Sequence, residues 1–301
     1  MAGRVRHSES PTGTPAVLQS RLSPPRTNST LLPRDLLVRQ VTRGLEGRAV
    51  LLVAGPGYGK TTLLAQVVAR LTLPVAWLSC DERMRETRAL LAHLSAALSA
   101  SDPDEPSARG SPVSLSFDPA RMCNEIGERT SEVVIVLDDL HLLVGAPSAG
   151  VLGQLLNDLP GNAHFALASR GDLPFPQGHL LAGDALFLDE RALALSEAET
   201  LELIARIAPG IEPQAAHDAI RPAEGWAAGL TLSARSVVLG AALGEMCAGA
   251  LLSDYLEEEA LQRQPPELQR FLLDTCVLER FTPELAVAVT ERADAPELIS
   301  K

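Results

Sequence analysis

Residues 54–61 read AGPGYGKT, and the fold follows from how that stretch must be used. Ala54, four variable positions and then Gly59-Lys60-Thr61 fit the phosphate-loop pattern, with alanine at its permitted small first position. Glycines let successive backbone N–H groups point at a β-phosphate with no Cβ in the way. The helix that must follow adds its unsatisfied N-terminal amides and the positive end of its dipole. The pattern needs an apolar strand before it and a helix after it. AVLLVA at 49–54 and the helical run at 61–71 supply both. Gly55, Pro56, Gly57, Tyr58, Gly59, Lys60, Thr61 and Thr62 are therefore the candidate nucleotide-phosphate-binding residues. Lys60 would reach the β- and γ-phosphates, and the Thr61 hydroxyl would ligate Mg²⁺.

Lysine usage points the same way. Of 26 basic residues only two are lysine, Lys60 and Lys301. A general arginine bias removes lysine wherever either cation serves, so an internal lysine marks a place where the planar arginine fork does not fit.

Working outward, VVIVLDD at 133–139 is an apolar strand ending in two carboxylates. In an open parallel sheet, ligands bind at the carboxyl ends of the strands. Asp138 is the candidate Mg²⁺ residue there, and Asp139 could orient or deprotonate an attacking water. FALASR at 165–170 ends a further strand in Arg170, which could touch a γ-phosphate at the same edge. Lys60, Asp138, Asp139 and Arg170 are thus the candidate catalytic set, with Thr61 and Asp138 as metal ligands.

The rest of the first half alternates apolar runs with helical patterns. Strands are expected at 49–54, 75–79, 133–137 and 164–168, and helices at 61–71, 85–98, 120–130 and 149–156. Continuous apolar strands separated by helices predict a parallel sheet covered on both faces. Residues 1–20 read as a disordered leader, 21–37 as a proline-punctuated lead-in, and 101–116 as a loop. After about residue 184 the pattern becomes helix upon helix, with helices expected at 213–220, 227–239, 254–263 and 267–274. Ser196-Glu197-Ala198-Glu199 is a capping box that should start another and carry it to about 207.

Composition bounds what this chain can do. It has 301 residues with 46% hydrophobic and 21% charged side chains, ordinary globular usage. The net charge is −12, unevenly spread. Residues 1–50 carry eight arginines against Glu9, Asp35 and Glu46, and the remainder is strongly acidic. An acidic body argues against a nucleic-acid surface spread over the chain. Cys80, Cys123, Cys247 and Cys276 lie far apart with no CxxC, which suits neither zinc nor a disulfide framework. No apolar h-region follows Arg4 and Arg6, and the weakly polar stretch 233–252 is broken by Arg235 and Glu245, so no membrane span and a cytoplasmic location are expected. The Asn-Lys-x-Asp guanine reader of Ras-type GTPases and an LSGGQ-like stretch are both missing.

Together these segments resemble the N-terminal ATP-binding region of MalT and the related large ATP-binding LuxR-type transcriptional regulators, STAND-class P-loop NTPases. The carrying stretches are RLSPPR (21–26), LLPRDLL (31–37), AGPGYGKTTLLAQ (54–66), VAWLSCDE (75–82), VLDDLHLL (136–143) and ALASRGDLP (166–174). EGWAAGL (224–230) and DYLEEEALQRQPPELQRFLLDTCVLERF (254–281) complete the order. The resemblance implies an AAA-like α/β nucleotide-binding domain at 21–183, a helical domain at 184–245 and an incomplete winged-helix-like region at 246–301. It implies closure around ADP at rest, and opening with self-association when ATP and an inducer bind. By position Arg34 matches the class's N-terminal nucleotide-contacting arginine, and Lys60, Thr61, Asp138 and Arg170 match its P-loop, Mg²⁺ and sensor positions. Gly225-Trp226-Ala227 matches a helical-domain motif in which a proline usually stands where this chain has Ala227. No direct DNA binding is expected from these residues, since phosphate contacts need Arg and Lys where Glu257, Glu258 and Glu259 stand. The expected function is an ATP/ADP-dependent switch with slow hydrolysis. A constitutive P-loop ATPase or small-molecule kinase is the alternative, and a non-catalytic interaction fragment a third.

Overall fold

A computed structural model describes residues 15–26, 31–101, 118–176, 185–211, 224–243, 255–262, 264–278 and 280–299. The chain forms two compact units, Met1–Ala194 and Leu195–Lys301. The expected helix at 213–220, most of the loop at 101–116, and Cys247 lie outside the described residues.

The first unit is built on five parallel strands, β1 (Ala49–Val53), β2 (Val75–Ser79), β3 (Val133–Asp138), β4 (Ala163–Ser169) and β5 (Ala185–Leu188), in the order β2-β3-β4-β1-β5. Helices α1 (Asp35–Gly44), α2 (Lys60–Val68), α3 (Thr87–Ser101), α4 (Pro119–Gly127), α5 (Pro147–Asn157) and the short α6 (Glu190–Leu193) accompany the sheet. Side chains alternate between the faces with period two. Leu51, Leu78, Ile135, Leu137, Phe165 and Leu167 pack with Leu90, Leu94, Ile126 and Leu152 from α3, α4 and α5. Val50, Leu52, Trp77, Val134, Val136 and Ala166 pack on the other side with Val38, Val41, Leu63, Leu64 and Val67 from α1 and α2. Both faces are covered, so the strands read as unbroken apolar runs, as parallel sheets require.

The expected strands are present within a residue or two of their ends. Three features differ from the sequence reading. Helix α1 extends the segment read as a lead-in, because Val38, Val41 and Leu45 recur at helical spacing and are buried. Strand β5 falls after residue 184, where only helices were expected. Four residues at a sheet edge leave too little alternation to be read as a strand. Residues 15–22, within or next to the expected disordered leader, are placed by specific contacts. The Leu18 N–H donates to His93 Nε2 at 3.2 Å, Arg21 lies 3.7 Å from the Asp81 carboxylate, and Leu22 packs on the core.

The second unit is helical as expected. Helix α7 (Glu197–Ile207) begins with the full capping box: Ser196 Oγ accepts from the Glu199 N–H, and Glu199 reaches back to the Ser196 N–H. Helix α8 (Ala227–Leu243) follows. A π-helical stretch, Leu256–Leu261, stands where a helix from 254 was expected. Helices α9 (Pro266–Thr275), α10 (Pro283–Thr290) and α11 (Ala295–Ile299) then enclose a small core of Phe271, Ala286, Ala295 and Leu298. Among the described residues no helix is long and apolar enough to cross a membrane.

Candidate functional site

The carboxyl ends of β1, β3, β4 and β5 deliver chemistry to one edge. Strand β1 runs into the loop 54–59, β3 ends at Asp138, β4 is followed by Arg170, and β5 by Glu190. Backbone conformation explains two of the loop's glycines. Gly57 (φ 80°) and Gly59 (φ 77°) lie in the left-handed region, where a Cβ is strained. Gly59 caps α2, and its carbonyl accepts from the Leu63 N–H at 2.8 Å. The α2 helix therefore begins at Lys60, with its first-turn amides directed at the edge.

Lys60 is buried, and its Nζ donates to the Ala54 and Gly55 carbonyls at 2.6 and 2.8 Å. The ammonium thus pins the loop into a ring around itself. Burial, and secondly the Arg170 charge, lower its pKa from 10.5 to about 8, against the pull of Asp138, Asp139 and Glu190.

Asp138 is placed by parity. Val134 and Val136 face the α1–α2 side, so Asp138, two residues further, also faces α2. There its carboxylate accepts a hydrogen bond from the Thr61 hydroxyl. The Asp139 N–H donates to Asp138 Oδ1 at 2.9 Å. Burial, then the Asp139 charge, raise the Asp138 pKa from 3.8 to about 6. Asp139 itself adopts φ 57°, a conformation uncommon for a non-glycine residue but most accessible to Asp and Asn. That turn brings its Oδ1 to 3.8 Å from Arg170 Nε and 3.9 Å from His141 Nδ1. The Cys80 thiol lies buried nearby, and burial pushes its pKa well up, so it carries no thiolate chemistry.

Lys60, Thr61, Asp138, Asp139 and Arg170 are thus brought together. Thr61 and Asp138 offer hard oxygen donors, one hydroxyl and one carboxylate, side by side. Among the described residues no group of three or more His, Cys, Asp or Glu is arranged for a metal. This donor set fits Mg²⁺, a cation that keeps several waters and is held by one or two carboxylates together with phosphate oxygens.

Arg34 is held differently from the rest. Its guanidinium donates to the Leu193 and Ala194 carbonyls at the end of α6, and its backbone N–H donates to Gln66 Oε1 at 2.9 Å. Gln66, buried on α2, also donates through Nε2 to the Leu32 carbonyl. Two residues at this edge escaped the sequence reading. Gln66 lay inside the quoted AGPGYGKTTLLAQ stretch but carried no signal of its own. Glu190, whose Oε1 accepts from the Gly55 N–H at 2.8 Å, lies 135 residues from its partner, and only the β1–β5 pairing brings them together.

The chain matches the family model of the MalT winged helix domain over residues 257–301. Over 293 residues it is 28% identical to the serine/threonine-protein kinase PknK of Mycobacterium tuberculosis, covering 92% of this chain and 26% of that one. Over 289 residues it is 28% identical to the HTH-type transcriptional regulator MalT of Serratia proteamaculans, covering 91% and 32%. The chain therefore spans about a quarter to a third of the length of these curated relatives. Among solved structures it is similar to the Walker-type ATPase PABY2304 of Pyrococcus abyssi, with a TM-score of 0.53, 14% identity and 89% of each chain covered. At that identity the likeness concerns the fold alone. The resemblance to MalT-like P-loop regulators read from the sequence holds along the chain, with the winged-helix match at its end.

Proposed function

We propose that this MalT-like P-loop region is the ATP/ADP-binding switch module of a LuxR-type transcriptional regulator, working in the cytoplasm and hydrolysing ATP slowly with Mg²⁺. One observation carries the reading: the Thr61 hydroxyl and the Asp138 carboxylate are joined beside a buried Lys60 that already holds the loop in a ring. When bound, Mg²⁺ would neutralise charge on the phosphates, held by Thr61 and Asp138.

The chain's own residues supply the rest. The first-turn amides of α2 receive the phosphates, and Lys60 offers a compact charge to them. Asp139 holds its carboxylate at the edge, where it can orient a water or accept its proton. Arg170, leaning on Asp139, is placed to sense a γ-phosphate. In this reading Asp139 and Arg170 respond to the third phosphate together. An inducer and ATP-dependent self-association belong to the same reading and rest on the resemblance to MalT-like regulators alone. DNA contact is assigned to no residue described here.

The test begins with the purified chain, denatured to release bound nucleotide for identification by chromatography. Near-stoichiometric ADP, lost completely in Lys60→Ala, is the expected outcome. Unchanged nucleotide content or affinity in that variant contradicts the assignment. Turnover of many per second would instead favour a constitutive P-loop enzyme.

A further inference from the structure

Position 55 is one the phosphate-loop pattern leaves open, and this chain places glycine there. Gly55 is not among the glycines with positive φ, so backbone conformation does not demand it. Its neighbour does. A Cβ at this position would stand 3.1 Å from Glu190 Oε1, the oxygen that accepts from the Gly55 N–H at 2.8 Å. Glycine at 55 makes room for a carboxylate on the loop's shoulder.

Glu190 is the first residue of α6, which Asp189 caps by accepting from the Ala192 N–H at 2.9 Å. The opposite end of α6 presents the Leu193 and Ala194 carbonyls to the Arg34 guanidinium. Arg34 is tied in turn to Gln66 on α2, the helix that begins at Lys60. So α6 is held to the loop-and-helix segment at both ends, by Glu190 at one and Arg34 at the other. The residue after Ala194 is Leu195, where the second unit starts. The Glu190 charge also acts on Lys60, favouring its ammonium form.

We propose that Glu190 is a positioning residue that couples nucleotide at the phosphate loop to α6. The Glu190 carboxylate and a polyphosphate both draw on Lys60 and repel each other. Nucleotide therefore weakens the Glu190–Gly55 hydrogen bond and loosens α6, the last element before the second unit. The inference rests on the nucleotide reading of the loop. It adds that Glu190 opposes binding and converts that opposition into a change at residues 190–194.

The experiment titrates the full chain with MgADP and follows backbone hydrogen exchange. Glu190→Gln keeps an acceptor oxygen for the Gly55 N–H and removes the charge. It is expected to bind MgADP about three- to tenfold more tightly at low ionic strength, with the gain fading in high salt. In the native chain, saturating MgADP is expected to speed exchange at the Leu193 and Ala194 amides, which bond the Asp189 and Glu190 carbonyls at 3.0 and 2.8 Å. In Glu190→Gln those amides should not respond, and in Glu190→Ala they should exchange fast without nucleotide. Equal or weaker affinity in Glu190→Gln at both ionic strengths overturns the coupling and leaves the nucleotide reading standing. So does unchanged α6 exchange in the saturated native chain. Failure of the native chain to bind MgADP overturns both.

Discussion

Burial moves Lys60 and Asp138 toward each other in pKa, the lysine down to about 8 and the aspartate up to about 6. Both are in their working forms together only between those values, the ammonium persisting below the upper and the carboxylate above the lower. MgADP affinity is therefore expected to peak between about pH 6 and 8, falling up to about tenfold per unit on either flank. Calorimetric titration across that range checks it, and a flat profile would contradict the roles given to both residues. Asp138 also has a stability consequence. Its pKa is higher in the folded chain than the ordinary 3.8, so the fold favours the protonated form. The cost of its charge is absent below the ordinary value, grows as pH rises, and is complete above about 6. Asp138→Asn should thus stabilise the nucleotide-free chain by roughly 1–3 kcal/mol at pH 7.5 and by almost nothing near pH 3. The same variant should lose Mg²⁺-dependent turnover and the acid flank of the MgADP profile, while keeping most of its binding of metal-free ADP. A variant that melts like the parent at both pH values, or turns over fully, refutes this account.

At the level of elements, Gly229 shows what a glycine in mid-helix can mean. Replacing glycine by alanine inside a helix ordinarily stabilises it by about 1 kcal/mol. Here a Cβ on α8 would lie 2.3 Å from Trp226 Cε3, so the indole lies across the glycine's open face. Gly229→Ala should reverse the usual sign and destabilise the second unit by about 1–3 kcal/mol, read from urea unfolding. A gain in stability would show that the ring moves freely. This contact gives a local reason for the spacing in EGWAAGL, whose tryptophan and second glycine the sequence presents with no hint that they touch. The four longer strands were legible for a different reason. Burial on both faces makes each an apolar run, and glycine, proline or charge marks its ends. Strand β5 and helix α1 were not legible. One is four residues at an edge; the other hides its buried stripe of Val38, Val41 and Leu45 among arginines. The site divides in the same way. Lys60 and Thr61 open the helix after the loop, and Asp138 and Arg170 stand at strand ends, all in stretches that the motifs mark. Glu190 is joined to the loop by sheet topology alone, and no local pattern could announce it.

For the whole molecule, two compact units imply that ligand and stability are linked unevenly. Every residue proposed to hold nucleotide belongs to the first unit, Met1–Ala194. MgADP at about a hundred times its Kd should stabilise that unit by about 2.7 kcal/mol. A melt followed by Trp77, buried in the first unit, should therefore shift upward with nucleotide. Replacing Trp226 by Phe would isolate that signal, and an unmoved Trp77 transition in saturating MgADP would contradict the placement. The scarcity of lysine also has a practical use. Apart from Lys301 at the end of the sequence, Lys60 is the only lysine in the chain, and its side chain is folded inward against two carbonyls. A protease that cleaves only after lysine has one internal bond to attack, Lys60–Thr61, giving fragments 1–60 and 61–301. That cut needs the first turn of α2 to come apart, so its rate reports the opening of the loop in an otherwise untouched chain, without a label or a mutation.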